Sequence, residues 1–292
     1  MLWNCKTGEL QHTLKSERNA PDVSAVPFSP DGSVVAAPRI KGSILVWNVK
    51  TGKLQNKLAW EGKTSMWRSL AFSADGKTIF AGNTAGDLGA LNWKEAKQRF
   101  SIKRHTGVVG CIAVSSDGHT VATGGGRWRQ NWDHQIRLWN AKTGDELPQS
   151  RRHGGHLPSV VAMTPDGKRI VLGNWNRCFS VWDVEKNLPL HEFTRPAAYS
   201  RVTVALSPDG NVVATGGEPV LRLWNMATGA LWNLSSNSKR PSGMKFTPDG
   251  KRLVAGTGDG HLMVWDVEQR KLLTDIRAHD GEIWSLDVSH DG

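Results

Sequence analysis

Residues 202–234 read VTVALSPDGNVVATGGEPVLRLWNMATGALWNL. Four short runs rich in Val, Ala and Leu, at 202–207, 212–215, 221–224 and 230–234, are separated by turn residues. Apolar and polar residues alternate within them, which is the period of a half-buried strand and not of a helix. Pro208-Asp209-Gly210 and Ala227-Thr228-Gly229 reverse the chain between runs: glycine takes positive φ at little steric cost, and proline removes a ladder donor where pairing must stop. The expected unit is four antiparallel strands.

That unit recurs along the chain. Asp-Gly pairs stand at Asp31-Gly32, Asp75-Gly76, Asp117-Gly118, Asp166-Gly167, Asp209-Gly210, Asp249-Gly250 and Asp291-Gly292, spaced by 44, 42, 49, 43, 40 and 42 residues. Ser-Pro or Thr-Pro precedes the pair at 29–30, 164–165, 207–208 and 247–248. A Trp follows each of the first six turns by 14 to 21 residues: Trp47, Trp93, Trp139, Trp182, Trp224 and Trp265. Trp3 is a seventh, with no turn before it. A fixed period of this length means a repeat architecture in which each unit buries its face against the next.

The repeats resemble those of the WD40 family. Trp182-Asp183 and Trp265-Asp266 carry the family's name dipeptide, and Trp3-Asn4, Trp47-Asn48, Trp139-Asn140 and Trp224-Asn225 replace Asp by Asn. The Ser-Pro-Asp-Gly turns and the Lys-Thr-Gly turns at 6–8, 50–52 and 142–144 match a style seen in bacterial members. The resemblance covers essentially the whole chain and implies an all-β, seven-bladed WD40-like β-propeller of four-stranded antiparallel blades. Complete blades are expected at about 23–60, 64–107, 108–156, 157–197, 200–240 and 241–281. The seventh is expected to be split between the termini, 1–14 plus 282–292. Its first strand falls at Glu282–Ser289, its third and fourth lie near Met1–Asn4 and Glu9–Leu14, and its second is missing. The expectation drawn from that gap of one strand is a longer polypeptide, with the missing strand directly after Gly292.

The resemblance also implies a buried hydrogen-bond set of His, Ser or Thr, Asp and Trp in a blade. His105, Thr123, Asp133 and Trp139 are the candidates in the third unit. Elsewhere the set decays, for Lys41, Asn176 and Glu218 stand where Asp is expected, six residues before the Trp. The repeated Trp residues are read as core anchors.

Composition narrows the function classes. The 292 residues carry 37 Lys and Arg against 27 Asp and Glu, a net charge of +10, with 38% hydrophobic residues. That apolar content suffices for a folded core, and no run approaches the roughly 20 apolar residues of a membrane helix. Met1–Leu10 holds no apolar segment of the secretory type. Cys5, Cys111 and Cys178 are distant and odd in number, which gives no disulfide framework and fits a cytoplasmic chain. No catalytic residue, metal site or cofactor is assigned: the glycines at 124–126 and 256–260 end predicted strands with no helix to hold a phosphate. His153 and His156 form a loop spacing with no companion Cys or carboxylate, and His134 adds none.

One loop departs from the repeat. The turn-to-Trp distance is 14 to 17 residues in five units and 21 between Gly118 and Trp139, the excess being Arg127-Trp128-Arg129-Gln130-Asn131-Trp132. Guanidinium groups beside indoles are the composition of protein-interface hot spots and of nucleic-acid contacts. Trp175 and Arg177 fall in the equivalent loop of the next unit, and Arg151 and Arg152 are expected in the inter-blade loop between them. From Arg99 to His156 there are 9 Lys and Arg against 4 Asp and Glu. Arg68 and Trp284 occupy matching positions near the start of their first strands and are secondary candidates, as are Trp60 and Trp67 beside them. In the family such loops lie on one face, called the top. The expected function is a non-catalytic scaffold binding a protein partner, favoured to be acidic or phosphorylated. A nucleic-acid-binding propeller is the alternative.

Overall fold

The structure is a computed structural model. It describes residues 1–4, 7–14, 25–39, 42–60, 65–128, 131–152, 158–174, 179–193, 202–216, 220–235 and 240–290. All regular structure among them is antiparallel β. Five sheets have four strands each in simple meander order: blade two (Trp67–Phe72, Thr78–Asn83, Asp87–Asn92, Lys97–Lys103), blade three (Val109–Val114, Thr120–Gly125, Gln135–Asn140, Arg151–Arg152), blade four (Pro158–Met163, Arg169–Asn174, Phe179–Asp183, Leu188–Phe193), blade five (Thr203–Leu206, Val212–Gly216, Val220–Asn225, Leu231–Ser235) and blade six (Pro241–Phe246, Arg252–Thr257, His261–Asp266, Lys271–Arg277). Blade one has Val34–Pro38, Ser43–Asn48 and Leu54–Ala59, with Phe28 bridging Val35 at the place of its first strand. Leu2–Trp3 and Leu10–His12 pair as the two-stranded sheet of blade seven. These seven sheets are the blades of a propeller.

Among the described residues the Asp-Gly turn sets the entry to the second strand in six blades. A hydroxyl two residues before the Asp donates to its Oδ1: Ser29 to Asp31, Ser73 to Asp75, Ser115 to Asp117 and Ser207 to Asp209 at 2.5 Å, Thr164 to Asp166 and Thr247 to Asp249 at 2.6 Å. The same Oδ1 accepts the backbone N–H two residues on, from Ser33, Lys77, His119, Lys168, Asn211 and Lys251 at 2.9–3.0 Å. The hydroxyl oxygen in turn accepts the N–H that opens the second strand, as Thr78 N to Ser73 Oγ at 2.9 Å. Hydrogen bonds from these hydroxyls hold all six carboxyls below the usual Asp range. The Gly that follows sits at φ between 67° and 74°, as at Gly76 and Gly210, a conformation in which a Cβ is costly.

The core lies between blades, not within them. One cluster joins Val34, Ala36, Ile44 and Val46 of blade one to Trp67, Leu70, Phe72 and Ile79 of blade two. Equivalent clusters join blades two and three, three and four, four and five, and five and six, while Leu2 packs with Val35, Ala37, Leu45 and Trp47 of blade one. Fully burying a side chain such as Ile79, at 0% exposure, contributes roughly 2 kcal/mol, so each face-to-face layer is what holds its neighbours in register. Close approach is possible because a glycine near the end of a second strand leaves room for the next blade. A Cβ at Gly82 would stand 2.4 Å from Val109 Cγ1, and one at Gly256 2.5 Å from Ile283 Cγ2.

The seventh blade differs from the expectation in one respect. Glu282–Ser289 occupies the inner position, since Ser242 Oγ donates to Ile283 O at 2.6 Å and Lys245 Nζ meets Asp287 Oδ1 at 3.2 Å. Yet it is not a ladder strand. Among the described residues no second strand lies beside it to exchange N–H and C=O bonds, so it forms no regular ladder. The Ser242 and Lys245 contacts join blade seven to blade six, and on its other side it meets blade one: Phe28 N donates to Asp287 Oδ2 at 2.9 Å, and His12 Nε2 lies 3.2 Å from Lys50 O.

Candidate functional site

Blade three carries both the buried hydrogen-bond set and the one insertion. Trp139 Nε1 can only donate and does so to Thr123 Oγ1 at 2.8 Å. Thr123 Oγ1 is 2.8 Å from His105 Nε2, and His105 Nδ1 is 2.9 Å from Asp133 Oδ2. The carboxylate only accepts, so His105 carries a hydrogen on Nδ1 toward Asp133, while Thr123 Oγ1 accepts from the indole and lies within reach of both His105 Nε2 and, at 3.4 Å, Arg137 O. All four side chains are buried. Burial pushes Asp133 up, but hydrogen bonds from His105 and from the amides of Thr106 and Gln135 outweigh it and hold the carboxyl below the usual range. The set ties the loop before the first strand to the second and third strands at one end of the blade.

From that anchored end rises a two-stranded ribbon, Arg127–Trp128 paired with Asn131–Trp132. It interrupts the passage from Thr120–Gly125 to Gln135–Asn140. Its base is held by Gly126 N on Val108 O at 2.8 Å and Asp133 N on Gly126 O at 3.2 Å. A Cβ at Gly125 would stand 2.6 Å from Asp133 Cγ, so the base has no room for a larger residue. Among the described residues it is the one hairpin outside the blade sheets. Of the six inserted residues Arg129 and Gln130 lie outside the described residues, and for Arg127, Trp128, Asn131 and Trp132 the backbone pairing is what is described.

The other expected site residues divide. Arg151 and Arg152 are not in the inter-blade loop. They form the fourth strand of blade three, opposite Ile136 and Gln135, because the outer edge there is broken after a single bridge between Trp139 and Glu146 and resumes beside the ribbon. Both thus reach the ribbon's end of the sheet by a different route from that expected. Trp175 and Arg177 lie outside the described residues. Arg68 lies in the first strand of blade two, one residue after the buried Trp67, and Trp284 follows the buried Ile283 in the segment 282–289. They are on blades two and seven, not on the blade that carries the ribbon. Trp284 is 47% exposed, whereas Trp60 and Trp67 are buried against each other with ring centroids 4.7 Å apart, so those two plug the blade interface.

Other polar contacts went unread in the sequence. Asn83 Nδ2 donates to the buried Asp87 at 2.7 Å in blade two, and Thr257 Oγ1 donates to Asp259 in blade six. The Asp six residues before the Trp was the available signal, but the partner in blade two is an Asn within the same hairpin and not a His from the preceding loop. Among the described residues no group of three or more His, Cys, Asp or Glu is placed to hold a metal ion.

Comparison with known proteins agrees with this architecture. The family model described as WD domain, G-beta repeat matches residues 96–140 and 189–225, and the Anaphase-promoting complex subunit 4 WD40 domain matches 219–291. The chain is similar to Autophagy-related protein 16 of Arabidopsis thaliana, 24% identical over 192 residues, which is 65% of this chain and 36% of that protein. WD repeat-containing protein VIP3 of Arabidopsis thaliana is 33% identical over 91 residues, 25% of this chain and 27% of VIP3. General transcriptional corepressor TUP1 of Saccharomyces cerevisiae is 43% identical over 42 residues, 14% of this chain and 6% of TUP1. The chain thus spans about a third or less of the length of these relatives. The seven repeat-encoded sheets have the architecture of a seven-bladed β-propeller of the WD40 type, and residues 96–140 and 189–291 match models of WD40 repeats.

Proposed function

We propose that the chain is a non-catalytic protein-interaction scaffold and that a partner docks on the ribbon sector of blade three. The observation that carries this reading is the ribbon itself, an Arg- and Trp-rich hairpin that core packing does not require, rooted on a fully buried hydrogen-bond set. A rigid root matters because it lowers the ordering cost of binding. Exposed Arg104, 63% accessible, and the Arg151–Arg152 strand add positive charge on the same blade, which favours an acidic or phosphorylated segment. One matching family model is named for a complex subunit and one relative for a corepressor, in keeping with a binding role. The net charge of +10 is the observation that favours the second reading, contact with nucleic acid.

Affinity capture with the wild-type chain and a variant carrying Arg127→Ala, Trp128→Ala, Arg129→Ala and Trp132→Ala separates these readings, after matched thermal melts exclude a folding defect. Nuclease treatment and two salt concentrations are included. Proteins lost from the variant alone support the docking site, and their phosphorylated and dephosphorylated forms then test the anion preference. Identical captures refute it. Nuclease-sensitive material that falls away steeply with salt assigns the sector to nucleic acid.

A further inference from the structure

The outer seams between blades close in a repeated way. A residue at one equivalent ladder position of the fourth strand meets the turn between the third and fourth strands of the following blade. Asn56 Nδ2 donates to Trp93 O at 2.8 Å, the Arg270 guanidinium lies 4.9 Å from the centroid of a Trp232 ring, and His12 Nε2 is 3.2 Å from Lys50 O. A Cβ at Gly144 would stand 3.0 Å from the Phe100 ring, and one at Gly8 3.9 Å from Thr274 Cγ2. His191 of blade four holds the same place, opposite Val181 as Phe100 is opposite Ala90. Yet a Cβ at Gly229, in the blade five turn that should cover it, has nothing within 4 Å.

At that seam lies a cavity of about 290 Å³ lined by Arg169, Val181, Leu190, His191, Met226 and Ala227. Val181 and Met226 are buried, and the other four stand exposed around them. Two residue changes account for the opening. Leu190 takes the place in the strand bulge from which Arg99 of blade two donates to Thr78 Oγ1 at 3.0 Å and, across the seam, to Lys142 O at 2.9 Å. Arg169 takes the place of Thr78, each opening a second strand. An apolar side chain thus replaces the strap, and a guanidinium replaces its anchor. No carboxylate is in the lining. Asp166 and Asp183, on the neighbouring turns, accept hydrogen bonds there, Asp166 from Thr164 Oγ1 and Lys168 N and Asp183 from Lys186 N.

We propose that this cavity binds a carboxylate carried on a short branched aliphatic body, the body against Val181, Leu190 and Met226 and the carboxylate on the Arg169 guanidinium. A guanidinium fits because its planar paired donors match the two carboxylate oxygens. The volume lies at the small end of ligand sites, so it takes one residue-sized group and not a run of peptide. A free branched acid and the last residue of a polypeptide both offer that chemistry. The site belongs to blades four and five and the ribbon to blade three, so either can fail without the other.

The test labels the methyl groups of the six methionines of the 292-residue chain with ¹³C and assigns the Met226 signal by Met226→Leu. The probes are N-acetyl-leucine, its uncharged analogue N-acetyl-leucinamide, and 4-methylpentanoate. N-acetyl-leucine is expected to move the Met226 signal saturably with a Kd of about 1 mM, in keeping with its size, and the amide to bind about tenfold more weakly. Arg169→Gln is expected to weaken the acid about tenfold and leave the amide unchanged. Tighter binding of 4-methylpentanoate than of N-acetyl-leucine supports a free acid as the ligand, and the reverse order supports a chain terminus. Should Arg169→Gln melt below the wild type, acid against amide on the wild type still decides. A Met226 signal unmoved at about 20 mM N-acetyl-leucine, equal affinities of acid and amide for the wild type, or a well-folded Arg169→Gln that holds the acid as tightly overturns the proposal.

Discussion

Replacing Thr123 by Val tests whether the blade three set acts as one unit. Val keeps the branched shape and removes only the hydroxyl, so the perturbation is electrostatic. Two buried groups lose their partner, the Trp139 indole N–H and His105 Nε2, each 2.8 Å from the oxygen removed. An orphaned buried donor or acceptor costs about 1–3 kcal/mol, and the gain from burying a methyl offsets about 1 kcal/mol, leaving a net loss of about 1–5 kcal/mol for the two. Asp133→Asn breaks the other end. It removes the charge-assisted bond to His105 and leaves the Thr106 N–H, 2.8 Å away, facing an amide that cannot accept equally at both atoms. Because His105 bridges Asp133 and Thr123, a chain already broken at Thr123 has less to lose at Asp133. The double variant should therefore be less destabilised than the sum of the singles, by at least about 1 kcal/mol. Urea unfolding with unchanged m values measures all four corners. Additivity within about 0.5 kcal/mol would refute the view that these residues form a coupled chain.

Three further outcomes follow from the geometry. Ala96 and Arg270 sit at φ 53° and 56° where other blades place glycine, so Ala96→Gly and Arg270→Gly should each raise stability by about 0.5–1 kcal/mol, read as a higher melting temperature; a fall would show that the left-handed turn carries no strain. Gly86→Ala puts a Cβ 2.1 Å from His105 O at a φ of 90°, and should cost about 2–4 kcal/mol, whereas Gly229→Ala, with nothing within 4 Å, meets only the φ penalty. The carboxyls of Asp31, Asp75, Asp117, Asp133, Asp166, Asp209 and Asp249 are all held below their ordinary value of 3.8 in the folded chain. A depressed folded-state value means the stabilisation is complete above the unfolded value and disappears as pH falls through the folded ones. Stability should thus be level on the acid side of neutrality down to about pH 5 and drop steeply below 3.8. A Ser207→Ala, Ser73→Ala pair should flatten that drop, and an unchanged acid limb would remove the hydroxyls as its cause.

Much of the fold was legible because the informative features are local. A strand period, an Asp-Gly turn and a Trp at fixed offset each need only neighbouring residues, and repetition made seven weak signals one strong one. In blade five the strands expected at 212–215 and 221–224 are observed at Val212–Gly216 and Val220–Asn225. What failed were readings that depend on where an edge goes next. Arg151–Arg152 looked like loop since no apolar alternation surrounds it, and only pairing with Gln135 and Ile136 makes it strand. Glu282–Ser289 alternates like a strand, yet the ladder requires a partner that local sequence cannot supply.

The sequence by itself determined the blade: its four-strand order, its turns and the Trp that anchors it, all through contacts within roughly forty residues. It also exposed the insertion at 127–132, because a periodic chain makes any excess visible. The tertiary structure decided what joins distant repeats. It brought Ser242 to Ile283 and Phe28 to Asp287 to close the ring, buried Trp60 and Trp67 against each other, and left Trp3 Nε1 without an acceptor. Those outcomes depend on which surfaces meet when the ring is completed, and burial and hydrogen-bond satisfaction are properties of that meeting, not of any single repeat.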